Sequence, residues 1–167
     1  MSNYIKEILF TTSVHLNSGE CSKSKNIDGL IKYKLKKEHE NLCNKHGFVI
    51  DNSVKIINRS VGKLVTHDNK SMIEYNVSLK MNVIYPCEKD IYHCKIDNIT
   101  KMGVIGFLPD KDNKYNIENS PILFIVPTEY IDDIELLKKD MNIEIIVLQS
   151  RIKYKSKQIQ VVGKLLK

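Results

Sequence analysis

The chain has 167 residues, 42% of them apolar and 28% charged, with a net charge of +6 and an isoelectric point of about 9.0. That length fits one ordinary domain or two small ones of about 80 residues, each with a modest core of its own. Both fractions are in the range of ordinary globular proteins, and no apolar run reaches the roughly 20 residues that a membrane-spanning helix needs.

The four cysteines, Cys21, Cys43, Cys87 and Cys94, form no C-x-x-C pair and are read as isolated thiols of a reducing compartment. The stretch MSNYIKEILFTTS lacks a basic start followed by an apolar core, so no secretory signal is expected and an intracellular location is. Nearly all the positive charge is lysine; Arg59 and Arg151 are the two arginines, and alanine is absent. Such usage reflects an AT-biased genome, which accounts for part of the lysine excess. A basic chain still favours polyanionic partners.

In chain order, Ile8, Phe10, Thr12, Val14 and Leu16 alternate with polar positions, predicting a strand. Asn17 to Lys25 reads as a polar loop. Ile27, Leu30, Ile31, Leu35 and Leu42 then lie on one helical stripe, with Asn26 or Asp28 as cap and His46–Gly47 at the expected helix end. His39, Cys43 and His46 would share part of that helix face, but a fourth zinc ligand is missing and no metal is expected. Gly47–Ile57 reads as a strand, Asn58–Lys70 as a looser loop, and Ser71–Ile84 as a second alternating strand. After Pro86 come shorter strands at Asp90–Ile99, Val104–Leu108, Ile122–Val126, Ile143–Leu148 and Gln158–Leu166. Pro86 fits the junction, because proline donates no ladder hydrogen bond. The predicted fold is α+β: a β-α-β unit over residues 1–83, then a five-stranded OB barrel over residues 84–167.

No phosphate-binding loop, dinucleotide fingerprint, zinc-protease motif or nucleophile elbow is present, and a non-catalytic binding module without cofactor is expected. His93 and Cys94 are adjacent on a strand, point to opposite faces and could not act as a pair. OB barrels hold single strands by stacking bases on flat side chains while lysines track phosphates. The expected RNA-binding face comprises His93, Lys95, Lys101, Met102, Ile105 and Phe124. Phe124 is its one aromatic platform, and Lys153 and Lys155 of the basic turn add charge.

The segments GLIKYKLKKEHENLCNKHGFVI (from Gly29 to Ile50) and YNVSLKMNVIYPCEKDIYHCKIDNITKMGVIGF (from Tyr75) resemble the larger stalk subunit of DNA-directed RNA polymerases. This is the family of the seventh subunit of eukaryotic polymerase II and its archaeal counterpart. The similarity is gapless from Tyr75 to Gly103, through Pro86 and the Asn98–Gly103 hairpin, and extends to Gly163 in the closing strand. It implies a truncated-RNP-like amino-terminal domain that docks on the polymerase core subunits, and an S1-type OB domain near the nascent single-stranded RNA. It also implies a smaller stalk partner and no membrane contact. The family's docking tip corresponds to Asn58–Lys63, giving Ile57, Asn58, Arg59, Val61, Gly62 and Lys63 as expected polymerase contacts.

The chain departs from the family at Lys89, where a glycine is usual. Ile105 and Met102 stand where aromatics are common, so RNA binding is expected to be weak and charge-driven. The loop Asp110–Ser120 is longer than usual and the connection Pro127–Met141 shorter. Together with the composition, these features suggest an AT-rich large DNA virus or protist. The expected location is then a viral factory or virion, or the nucleus of a cellular host. The alternative function is a stand-alone S1-domain factor of translation or RNA decay.

Overall fold

The computed structural model describes residues 4–166; residues 1–3 and 167, which close the two expected domains, lie outside them. The protein is mixed α+β and mostly sheet. It divides into two compact units, one of Ile5–Glu40 with Val49–Val83, the other of Tyr4, Asn41–Phe48 and residues 84–166. The sequence-based boundary at residues 83 and 84 thus differs by a short excursion, since Asn41–Phe48 belongs with the second unit.

In the first unit, β1 (Ile5–Asn17) buries Val14 and Leu16, in the predicted phase. The expected polar loop is instead a one-turn helix, α1 (Ser18–Lys23), made by a capping box. The Glu20 N–H donates to Asn17 Oδ1 over 2.8 Å, and the Asn17 N–H donates to the Glu20 carboxylate over 3.0 Å. Lys34 Nζ lies 2.8 Å from Glu20 and, with the Asn17 N–H, lowers that carboxyl's pKa. Helix α2 (Ile27–His39) starts on Asn26, whose side chain accepts from the Gly29 N–H, and buries Ile31 and Leu35 completely.

Helix α2 ends earlier than expected. Glu40 is its C-cap, and Asn41 turns the chain in a left-handed conformation at φ 60°. Cys43 lies in β2 (Cys43–Asn44), and Gly47 opens β3 (Gly47–Val49). The helical face imagined for His39, Cys43 and His46 therefore does not exist. The expected strand Gly47–Ile57 is likewise divided: after β3, Asn52 takes φ 54° and Ser53 Oγ donates to Ile50 O over 2.6 Å, closing a turn.

Strands β4 (Lys55–Arg59) and β5 (Lys63–His67) both pair antiparallel with β6 (Lys70–Ile84), so residues 55–67 form one interrupted arm. Arg59 faces Val77 and Lys63 faces Glu74, which leaves one extra residue on the arm: a β-bulge at residues 60–62. Ser60 fastens it, donating its N–H to Asn76 O and accepting from the Asn76 N–H. Tyr75, Val77, Leu79, Met81 and Val83 of β6 pack with Val14, Leu16, Ile31 and Leu35 in this unit's core.

The second unit holds a closed barrel of β7 (Ile91–Thr100), β8 (Gly103–Phe107), β9 (Ile122–Pro127), β10 (Asn142–Arg151) and β11 (Ile159–Leu165). Its circuit is β7-β8-β9-β11-β10 and back to β7, antiparallel throughout except for the parallel β9–β11 pair. The barrel is OB-like. Two 3-10 turns, Thr128–Tyr130 and Ile134–Leu136, make up the connection between β9 and β10 that showed helical tendency. Alternation sets the inside: Tyr92, Cys94 and Ile96 of β7, Ile122, Phe124 and Val126 of β9, and Ile145 and Val147 of β10 are all buried. Lys89 adopts a left-handed backbone at φ 71° while its N–H donates to Val147 O. That region of backbone is one that glycine favours.

Candidate nucleic-acid interface

Of the six residues expected on an RNA-binding face, five lie on the outer surface of the barrel and one lies inside it. His93 and Lys95 leave β7 on the solvent side, opposite buried Tyr92, Cys94 and Ile96. Both already have carboxylates beside them: His93 Nδ1 lies 3.5 Å from Glu144, and Lys95 Nζ lies 3.6 Å from Asp140. Lys101 and Met102 form the β7–β8 turn, with Met102 85% exposed. Ile105 on β8 is half-buried and sits opposite Ile125 of β9.

Phe124 corrects the prediction. Its side chain is 0% exposed, inside the barrel, with its ring centroid 5.9 Å from that of Tyr92. It cannot stack on a base. Leu123 and Ile125 are the outward residues of β9, so the strand face offers half-buried aliphatic groups and no aromatic platform. Cys94 is inside the barrel too, and burial pushes its thiol up to about 12, which keeps it protonated and unreactive near neutrality. Neither it nor exposed His93 can support nucleophilic chemistry together.

Lys153 and Lys155, expected only to add charge, belong to a second part of the surface. The β10–β11 turn, residues 152–158, carries a cavity of about 350 Å³ lined by Arg151, Lys153, Ser156, Lys157, Gln158 and Gln160. Another, of about 410 Å³, is lined by Asn44, Lys45, Tyr85, Ile152 and Tyr154. Tyr154 is 67% exposed, and Lys155 Nζ lies 5.6 Å from its ring centroid. Among the described residues, no ion pair involves Lys45, Arg151, Lys153, Lys155 or Lys157. The signal in the sequence is RIKYKSK, a basic run with an interleaved tyrosine.

The expected docking residues all lie on the interrupted arm. Ile57, Asn58, Arg59, Val61, Gly62 and Lys63 are exposed, and the segment is a bulge between collinear strands, where a free loop was expected. Val61 is 85% and the neighbouring Leu64 75% exposed. Arg59 is fixed from two sides. Its Nε donates to Asp28 Oδ1, which raises the guanidinium pKa further, and its carbon Cζ lies 5.2 Å from the Tyr75 ring centroid.

Among the described residues no cluster of three His, Cys, Asp or Glu side chains could hold a metal ion, and no helix is long and apolar enough to cross a membrane. No protein-family model matches the chain, and no curated protein matches it.

Proposed function

We propose that this chain is the larger stalk subunit of a multisubunit DNA-directed RNA polymerase. In this reading a truncated-RNP-like docking domain holds the core enzyme, and an S1-type barrel meets the nascent RNA. The observation that carries it is the OB-like strand circuit, whose first strand, Ile91–Thr100, lies inside the tract Tyr75–Gly103 on which the resemblance rests. The left-handed backbone at Lys89, where the family places glycine, supports the same alignment. The arm at residues 57–64 supports the docking role: its exposed Ile57, Val61 and Leu64 sit beside Arg59 and Lys63, the apolar-centre, charged-rim composition of small docking surfaces.

Affinity purification of the tagged chain, with mass spectrometry of what accompanies it, tests the reading. The large polymerase subunits are expected. Because Val61 and Leu64 are exposed, Val61→Asp with Leu64→Asp should release the polymerase while leaving the melting temperature of the free chain in place. Recovery of ribosomal or RNA-decay components without polymerase would transfer the chain to the class of stand-alone S1-domain factors.

A further inference from the structure

Strand β1 is the end strand of its sheet: it pairs with β6, and among the described residues nothing pairs with its other side. Its neighbours show which backbone groups it leaves free. Ser13 Oγ donates to Asn76 Oδ1 over 3.1 Å, which sets Ser13 opposite Asn76. The Asn76 N–H and C=O are turned away from β1, towards Ser60 on the arm. In an antiparallel ladder such a pair points its backbone groups outward on both strands. The Ser13 groups therefore face the free edge, and so do those of every second residue before it: Thr11, Leu9, Glu7 and Ile5. Two further bonds agree. The His15 carbonyl accepts from Lys34 Nζ over 3.0 Å, and the Asn17 N–H donates to the Glu20 carboxylate. These close the edge from His15 onward. From Ile5 to Ser13 it is open, without proline or glycine, and Leu9 is 72% and Ile5 48% exposed.

We propose that this open edge pairs with the same edge of a second copy of the chain, as a two-fold antiparallel dimer centred on Leu9. A long strand edge with free N–H and C=O groups is a template for pairing, and proteins that leave one exposed guard it with charge, bulges or proline. Here the guard covers only the last residues of β1, through Lys34 and Glu20. A two-fold axis normal to the sheet fixes the register by the residue that faces itself. Centring on Lys6 or Glu7 sets like charges face to face, which is destabilising. Centring on Ile8 sets Glu7 against Leu9 and Lys6 against Phe10, charge against apolar groups. Centring on Phe10 sets Ile5 opposite His15, whose carbonyl Lys34 already holds. Leu9 at the centre uses the whole open stretch. Leu9 then faces Leu9, Glu7 faces Thr11 and Ile5 faces Ser13, and the residues of each facing pair exchange two backbone hydrogen bonds.

Both faces of the sheet gain from this register. Leu9, exposed on the same face as Ser13, meets its own copy there and loses contact with water. Ile8 faces Phe10 of the second copy on the other face, where both already pack against the core of the unit. Glu7 keeps Lys80 Nζ at 3.3 Å, so pairing buries no carboxylate without a cation beside it. Strands β4 and β5 lie on the far side of β6 from β1 and stay free, so the proposal stands apart from the polymerase reading. Two strand edges make a small interface, at the low end of those that hold stable complexes, and a dissociation constant in the micromolar range is expected.

Sedimentation velocity of the full chain, from low to high micromolar concentration, should show a reversible monomer–dimer equilibrium. Leu9→Lys sets two ammonium groups at the axis and should weaken the dimer at least about 10-fold. Leu9→Pro removes an outward N–H that the ladder to β6 does not use, and should abolish the dimer while the far-UV circular dichroism stays unchanged. The register has its own readout. Facing residues of a hydrogen-bonded pair have Cα atoms about 5.5 Å apart, within disulfide reach. Leu9→Cys should therefore oxidise to a covalent dimer faster than the wild-type chain with its half-buried Cys21 and Cys87, and Glu7→Cys should not. A monomer at every concentration, a dimer that Leu9→Lys leaves intact, or faster cross-linking through Glu7→Cys than through Leu9→Cys would overturn the proposal. So would a β1 that gains protection from amide exchange only in a purified complex with a different chain, since the edge would then belong to that partner.

Discussion

Tyr92 holds a buried hydroxyl that finds no hydrogen-bond partner among the described residues. Its ring is well placed, stacked on Tyr4 with centroids 4.1 Å apart and 5.9 Å from Phe124, so the packing belongs to the ring and the cost to the oxygen. Ionisation offers no relief: burial first, then the nearby Asp90 carboxylate, raises the phenol's pKa. An unsatisfied buried hydroxyl costs about 1–3 kcal/mol, while the void left by deleting one oxygen costs a few tenths at about 24 cal/mol per Å³. Tyr92→Phe should therefore stabilise the barrel by about 1 kcal/mol. For a unit of roughly 100 residues that is a rise in Tm of about 4–8 °C. Tyr92→Ala removes the ring as well and should destabilise by about 3–5 kcal/mol. Urea and thermal melts of the three proteins by circular dichroism decide the matter. A loss of stability in Tyr92→Phe would mean that the hydroxyl is satisfied, by a buried water for instance, and the reasoning would fail.

Phe124→Ala should cost about 3–5 kcal/mol in the same melts, as expected for a core aromatic, and should impair RNA binding only in proportion to the unfolded fraction. Gly106→Ala should unfold or strongly destabilise the barrel, because a Cβ there would lie 2.4 Å from Cys94 Sγ and 2.5 Å from Lys95 O; Cys94→Ala should rescue it only in part, since the carbonyl contact remains. The Cys94 thiol is raised from 9.0 to about 12, so its stabilising contribution is complete below pH 9 and falls as pH climbs towards 12. The slope is at most about 1.4 kcal/mol per pH unit, and Cys94→Ala should flatten this alkaline limb in urea melts across that window.

Period-two patterning was legible wherever polar and apolar residues alternate. In β7 the pattern separates Tyr92, Cys94 and Ile96 from His93, Lys95 and Asp97, and the structure keeps that division. In β9 it was not: ILFIV is apolar at every position, so hydropathy carries no phase and Phe124 could be assigned to either face. Its phase comes from pairing, antiparallel to Gly106 on β8 and parallel to Val161 on β11, and neither partner is local in sequence. The end of α2 was misjudged because the apolar stripe continues to Leu42, while the left-handed turn at Asn41 breaks the helix first. Helix α1 could have been found, since Asn17 and Glu20 have the spacing of a capping box.

Charge was the least informative number in this chain and, once located, the most informative property. The net value of +6 mixes cations that have a carboxylate neighbour with cations that have none among the described residues. On β7 the counter-charge is tertiary: Asp140 approaches Lys95, and Glu144 approaches His93, because β10 and its preceding turn lie alongside β7, which no local window reveals. In the turn the opposite holds and is written in the sequence. After Glu144 there is no further Asp or Glu, while Arg151, Lys153, Lys155, Lys157, Lys164 and Lys167 follow. A basic segment without acids in its own stretch must draw counter-charge from elsewhere in the fold or from a ligand. Because the described fold supplies no ion pair to the cations at positions 151–157, condensed anions or a bound polyanion must occupy that role. Release of such small ions by a polynucleotide is what makes binding fall as salt rises. The location of unpaired lysines, more than their total, therefore separates a binding surface from the compositional bias of an AT-rich sequence.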